Sequence, residues 1–301
     1  METASIIVEN LWLGVKTLAS AMQKEVGAAN MPQSQTSMIL QKADVDWTLD
    51  DESAKAICSF WKTPSVQTYL AKRPPQLQLQ ECVFEFVKGL ENYPTWGGPK
   101  WVPSTDDCIR ARVRSSGVAE EHFTIEGTTF KLFDAGGQRS ERRKWIHYFD
   151  SVNSVLFMTS LTSYAETIFE DATQNGLVES LDLFDNISNS NYFRSTPMML
   201  FFNKRDLLEE YLTKLKIPLN RSGLFPDAPD SLEVEKAIQW QMKKFRARKK
   251  PDPDHPEEAA DANIYCHVTT ATSKDNVNKV FSTCRTIILK ESLKKSGFVP
   301  M

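Results

Sequence analysis

Nowhere in these 301 residues do apolar side chains run long enough to span a bilayer, and the start at Met1 has no secretory pattern. An intrinsic membrane span and a cleaved leader are therefore not expected. Cysteine is sparse: Cys58, Cys82, Cys108, Cys266 and Cys284 are odd in number and lack metal-like spacing. They read as reduced thiols of a cytoplasmic protein rather than a disulfide framework. Only four histidines occur (His122, His147, His255, His267), too far apart to suggest a shared metal or a catalytic pair. Excess positive charge is missing too. A net charge of −3 excludes a nucleic-acid binder that works by bulk electrostatics. Glutamate in second place offers no glycine for N-myristoylation, and the last four residues hold no cysteine to prenylate.

What is present is a soluble-protein balance, 41% hydrophobic and 25% charged, with length for one large domain or two ordinary ones. The first hundred residues read as helical. Ile7, Leu11, Val15, Leu18 and Met22 recur at helical intervals, although Ile6, Val8, Trp12 and Leu13 widen the apolar surface. Segments 51–61 and 79–90 mix apolar and charged residues without strand-like alternation. Pro94, Gly97, Gly98, Pro99 and Pro103 then punctuate the end of the helical region. After about residue 120, short apolar or alternating runs at 123–125, 130–133, 154–158, 198–202 and 264–268 are separated mostly by helix-like stretches. That order predicts an α/β sheet. The last segment aligns Val277, Val280, Phe281, Cys284, Ile287 and Ile288 on one helical face, and 246–262 reads as a solvated surface loop.

The strongest chemical signal runs from Phe130 to Trp145 and contains Asp134-Ala135-Gly136-Gly137-Gln138. A hydrophobic strand delivers a carboxylate to its C-terminal end, where α/β sheets bind ligands, and two glycines allow the backbone close to a bound group. Read alone, Asp-x-Gly-Gly is a turn between a strand and an exposed helix, since turns use these residues for backbone reasons. Over its whole length the run is similar, nearly residue for residue, to the second switch region of heterotrimeric G-protein alpha subunits. Three shorter stretches follow that family's order. Ile109-Arg110-Ala111-Arg112-Val113-Arg114-Ser115, continuing to Gly117, resembles its first switch, though in isolation it reads as a basic linker. Asn203-Lys204-Arg205-Asp206 follows an apolar strand and resembles the guanine-specificity loop, though Asp206 could equally cap a helix over 207–212. Thr269-Thr270-Ala271-Thr272 resembles the loop whose backbone supports the guanine carbonyl. The C-terminal stretch from Leu293 through Gly297 and Phe298 resembles the receptor-contacting tail.

The resemblance implies an all-α helical domain with its linker (1–108) followed by an α/β Ras-like GTPase domain (109–301). It further implies a GTP-binding and GTP-hydrolysing switch that uses Mg²⁺. By position, Arg112 would stabilise charge on the transferring phosphoryl group, and Gln138 would orient the attacking water. In the family such an arginine is worth roughly 10³–10⁵ in rate, a family value rather than one derived from these residues. Ser115 would bind Mg²⁺ directly where the family usually has threonine, and Asp134 would hold it through water. Gly137 would donate its amide to the γ-phosphate. Asp206 would accept from guanine N1 and the exocyclic amine, a discrimination that leaves a buried carboxylate unpaired with the wrong base. Implied partners are beta-gamma subunits, a G-protein-coupled receptor and an effector, at the inner face of the plasma membrane where a lipid anchor is carried.

One family feature has no counterpart. No G-x-x-x-x-G-K-[ST] stretch occurs, and no glycine is followed by lysine. Because 6–22 matches the first helix of the helical domain, the N-terminal helix, first strand, phosphate loop and first Ras-domain helix are expected to be absent. Losing about five buried apolar residues at roughly 1.5–3 kcal/mol each is comparable with a domain's net stability of about 5–15 kcal/mol. Two readings stay open: a GTPase whose nucleotide binding is impaired in this form, or a non-hydrolysing interaction protein that engages beta-gamma, effector or receptor.

Overall fold

Burial of one long apolar stripe organises the N-terminal part. In the computed structural model, which describes residues 2–42, 47–113, 115, 117–125, 127–253 and 259–295, helix α1 spans Glu2–Glu25. Ile7, Leu11, Val15, Leu18 and Met22 are all fully buried on it, as their spacing predicts, and Trp12 joins them. Around this stripe pack α2 (Gln33–Gln41), α3 (Asp51–Lys62), α4 (Pro64–Lys72), α5 (Cys82–Leu90) and the short α6 (Thr105–Arg110). Asp50 starts α3 by accepting the Ser53 N–H, and Ser104 starts α6 in a reciprocal capping box with Asp107. Ile39, Ile57, Phe60, Val83 and Phe86 complete this core.

The chain divides into two compact units, Met1–Val113 and Arg114–Met301. The division falls five residues beyond the expected boundary at 108/109, so Ile109 to Val113 belong to the helical unit. The second unit opens with a hairpin of β1 (Val118–Ile125) and β2 (Thr128–Ala135), paired antiparallel from Val118↔Ala135 to Ile125↔Thr128. Gly127 takes φ +78° in the tight connection, a conformation that costs glycine no Cβ clash. Next come β3 (Val155–Ser160), β4 (Thr167–Ile168) and β5 (Asp171–Asn175). They are followed by α7 (Gly176–Ser188), β6 (Met198–Asn203), α8 (Arg205–Glu209), α9 (Val234–Arg246), β7 (Ile264–Val268) and α10 (Lys274–Lys295).

Strands β3, β6 and β7 form a parallel sheet with β6 in the middle, which explains why Met198, Met199, Leu200 and Phe202 are all buried. Phe157, Phe184, Phe202 and Phe245 meet edge-on or tilted, binding α7 and α9 to the sheet. Among the described residues the β1–β2 pair and the β3–β6–β7 triple share no strand pairing, so one edge of β3 is open and Met158 is 58% exposed on it.

Two expectations change, and one element was not expected at all. The small β4–β5 hairpin is not evident from its polar sequence. The supposed surface loop 246–262 is anchored: Lys249 is buried and its Nζ donates to the carbonyls of Ser188 (2.6 Å) and Arg194 (2.9 Å). Burial pushes that ammonium below the ordinary lysine range. Residues 254–258, with His255, lie outside the described residues. Helix α10 is less amphipathic than its pattern: Cys284 is buried and Phe281 half-buried against Phe123 and Phe130, whereas Val277 is 40% exposed.

Candidate functional site

Two strand ends carry most of the singled-out residues of the second unit. At the end of β2, Asp134 is exposed, Gly136 is buried and Gly137 is exposed. The Gly136 N–H donates to the Gly117 carbonyl (3.0 Å), and the Gly117 N–H donates to Glu141 Oε2 (2.7 Å). Trp145 Nε1 donates to the Gly136 carbonyl at 3.0 Å. A Cβ on Gly136 would come within 3.1 Å of the Ser115 carbonyl and of Glu141, whereas one on Gly137 would meet nothing within 4 Å. The two glycines thus have different tasks. Gly136 lets Ser115 and Gly117 approach, and Gly137 leaves an open side. The tail of the first motif and the head of the second therefore lie side by side.

The segment after Gln138 is fastened to the unit's helices. Arg139 Nε donates to Glu179 Oε1 (3.1 Å), and Arg142 pairs with the same carboxylate at 2.8 Å while its Nε donates to the Gly137 carbonyl (3.1 Å). The Arg139 hydrogen bond holds the Glu179 carboxyl below the usual glutamate range, partial burial opposes this, and Arg142 adds to the lowering. Gln138 itself is half-buried.

The second locus joins the ends of β6 and β7. Asn203 Oδ1 accepts from the Ala271 N–H (2.9 Å) and from Thr269 Oγ1 (3.1 Å). Arg205 N–H donates to the Thr269 carbonyl at 3.2 Å, and Thr270 Oγ1 lies 3.5 Å from Asp206 Oδ1. Lys204 stands at φ +64°, turning the chain sharply from strand to helix. It also occupies the N-cap of α8, so Asp206 is not a cap: it lies in the first turn and is exposed. The helix-capping alternative for Asp206 is thereby corrected. Because β3, β6 and β7 are parallel, these loops lie at the carboxyl end of the sheet, where α/β folds place ligands.

Within the helical unit, Ile109 and Arg110 end α6, and Ala111 packs against the helical core. Arg112 is exposed, with its backbone held by Asn10, and Val113 is 60% exposed. Arg114 and Ser116 lie outside the described residues, as do Ser296–Met301 of the expected receptor tail. Comparison with known proteins completes the picture. The profile of the G-protein alpha subunit family matches residues 1–288. The chain belongs to the G-protein alpha-subunit family.

Relatives within that family are distributed widely. The chain is 34% identical to guanine nucleotide-binding protein alpha-17 subunit of Caenorhabditis elegans, over 99% of this chain and 81% of that protein. It is 32% identical to the G(o) subunit alpha of Locusta migratoria (86% and 69% covered). It is also 32% identical to an alpha-3 subunit of Mycosarcoma maydis (97% and 79% covered). Family members combine a Ras-like GTPase domain with a helical one and act as GTP-hydrolysing signalling switches. One all-helical unit and one mixed α/β unit accord with that composition.

Mg²⁺ is the family's metal, and the donor types here suit it: Ser115 offers a hydroxyl oxygen, and Asp134 a carboxylate on the neighbouring strand end. Magnesium keeps several waters and takes few protein ligands. It therefore does not need the cluster of three acidic or histidine groups that the described residues lack. A cavity of about 590 Å³ beside Lys243, Arg246 and Asp261 involves none of the motif residues, and its Arg246 is engaged by Asp261 (2.8 Å). Motif reading missed Glu179, Asn10 and Asn276, the last accepting the Thr270 N–H at 2.9 Å, and gave Glu141 no role of its own within the second motif. Each acts by holding a motif backbone or arginine, and an isolated Asn or Glu in a helical stretch carries no sequence signal for that.

Proposed function

We propose that this chain is a guanine-nucleotide switch whose nucleotide site is built from residues 109–115, 134–138, 203–206 and Ala271. The observation that carries the reading is the double convergence in the second unit: Gly136 against Ser115 and Gly117, and Asn203 tied to Thr269 and Ala271. Asp206 selects guanine by accepting from N1 and the exocyclic amine. Gly137 presents its amide to the terminal phosphate, and Gln138 orients the attacking water. Arg112 stabilises the equatorial charge that builds during phosphoryl transfer. Ser115 and Asp134 would hold Mg²⁺, which supplies charge neutralisation at the phosphates.

The β1–β2 pair and the β3–β6–β7 triple are proposed as two parts of one Ras-like sheet, parted where the family's first strand lies. The unpaired edges of β2 and β3 support this placement. With no G-x-x-x-x-G-K-[ST] stretch, the 301-residue chain has few backbone donors for the β- and γ-phosphates, and its GTP affinity is low. Beta-gamma subunits, receptor and effector are the proposed partners, met at the cytoplasmic face of the plasma membrane where an anchor is carried. A non-hydrolysing interaction role is favoured by apolar side chains around the second motif, where Ile146 is 44% and Phe169 74% exposed.

Titration of the purified chain with a fluorescent GTP analogue and Mg²⁺ tests the reading. Expected is weak binding that GTP, but not ATP, competes away and that Asp206→Ala abolishes. Micromolar or tighter binding would overturn the low-affinity claim, and equal competition by ATP would overturn the guanine assignment.

A further inference from the structure

Asn10 sits in the middle of α1, whose other buried side chains are largely apolar, with 6% of its surface exposed. Its carboxamide spends both functional ends on one residue 102 positions away. Oδ1 accepts the Arg112 N–H at 2.6 Å, and Nδ2 donates to the Arg112 carbonyl at 3.1 Å. This reciprocal pair reproduces what a neighbouring strand does for an extended residue in an antiparallel ladder. It fastens the main chain just past α6, where the last helical restraint is the Ala111 N–H donating to the Asp107 carbonyl (3.0 Å). Arg112 is exposed as a residue, while both of its backbone bonds to Asn10 are partly buried. The carboxamide therefore satisfies both backbone groups and holds one backbone geometry at the same time.

We propose that Asn10 is the positioning residue of Arg112: the first helix of the helical unit fixes the arginine's main chain and so presents its guanidinium pre-oriented. The inference rests on the reading of Arg112 as the arginine that stabilises the transferring phosphoryl group. Pre-set orientation matters because a displacement of about 1 Å by a remote change costs on the order of 10²-fold in rate. Asparagine is the one-residue solution. It carries donor and acceptor on the same short side chain, whereas aspartate keeps only the acceptor and leucine neither.

The test uses the full 301-residue chain and two readouts. Amide hydrogen exchange at Arg112, measured without nucleotide, is expected to speed at least about 10-fold in Asn10→Leu, and less in Asn10→Asp, which keeps the acceptor for the N–H. Amides of α3 serve as the control for folding. Unchanged Arg112 exchange in both variants would overturn the proposal. Single-turnover hydrolysis at saturating GTP is the second readout. Asn10→Leu is expected to slow the chemical step about 10–100-fold with nucleotide affinity unchanged, and Asn10→Asp to recover part of the rate. Adding Asn10→Leu to Arg112→Ala is expected to cost nothing further, since the arginine is already gone. A wild-type rate in Asn10→Leu beside a slow Arg112→Ala would overturn positioning while leaving the arginine's role intact. A wild-type rate in Arg112→Ala would instead overturn that role, and the exchange result would still judge the Asn10 hold.

Discussion

Glu179 holds the second motif from outside it. Its carboxylate faces Arg139 and Arg142 together, and its side chain is 14% exposed, so the pair is better shielded than an ordinary surface ion pair. Because its folded pKa is depressed, chiefly by Arg139, its stabilisation is present above the ordinary glutamate value of about 4.3 and is lost as pH falls through the lower folded value. Glu179→Gln is expected to lower the second unit's stability by at most about 1 kcal/mol at pH 7, the upper end for ion pairs whose partners are partly exposed. The gap between variant and parent should narrow as pH falls below about 4.3 and close once the pH is below the lowered folded value. Urea titrations at both pH values check this, and an undiminished gap at low pH would show that the carboxylate's charge is not the cause.

At the scale of elements, the open side of β3 is the least protected feature. An edge strand offers unpaired backbone groups, and Leu156 and Met158 are 38% and 58% exposed along it. Met158→Lys is expected to reduce concentration-dependent self-association in sedimentation while changing stability by less than about 0.5 kcal/mol, as surface substitutions usually do. Faster sedimentation at high concentration in both proteins alike would rule out this edge as the sticky surface. Elements with strong periodicity were legible beforehand: α1 from its apolar stripe, β6 from its unbroken apolar run, and β2 from the residues leading to Asp134. The β4–β5 hairpin was not, because Thr167–Ile168 and Asp171–Asn175 carry no alternation and are held by tertiary context. Nor was the anchoring of 246–262, where a lysine in a charged stretch turns inward to satisfy two carbonyls.

For the molecule as a whole, two separate cores imply two unfolding events. Phe60 is fully buried in the helical core and Phe157 lies in the core of the second unit. Trp12, Trp47, Trp61, Trp96 and Trp101 belong to the first unit, and only Trp145 and Trp240 to the second. Tryptophan fluorescence should therefore follow mainly the helical unit, while far-ultraviolet circular dichroism follows both. Phe60→Ala is expected to cost about 3–5 kcal/mol in the helical unit alone. It should move the fluorescence transition to lower temperature and leave a second dichroism transition in place. A single transition shared by both probes would show that the units unfold together.

Local chemistry determined, from the sequence alone, the strongly patterned helices and strands, which motifs end the strands, and which family the chain resembles. These signals are carried by neighbours in the chain: apolar spacing, paired glycines, and a carboxylate after a hydrophobic run. Only the tertiary structure decided that Gly136 makes room for Ser115 and Gly117, that Asn203 serves Thr269 and Ala271, and that Asn10 grips Arg112. Those partners lie far apart in sequence, and a hydrogen bond between distant residues leaves no period or spacing to read. It exists only once burial of two separate cores has brought the backbone segments within reach.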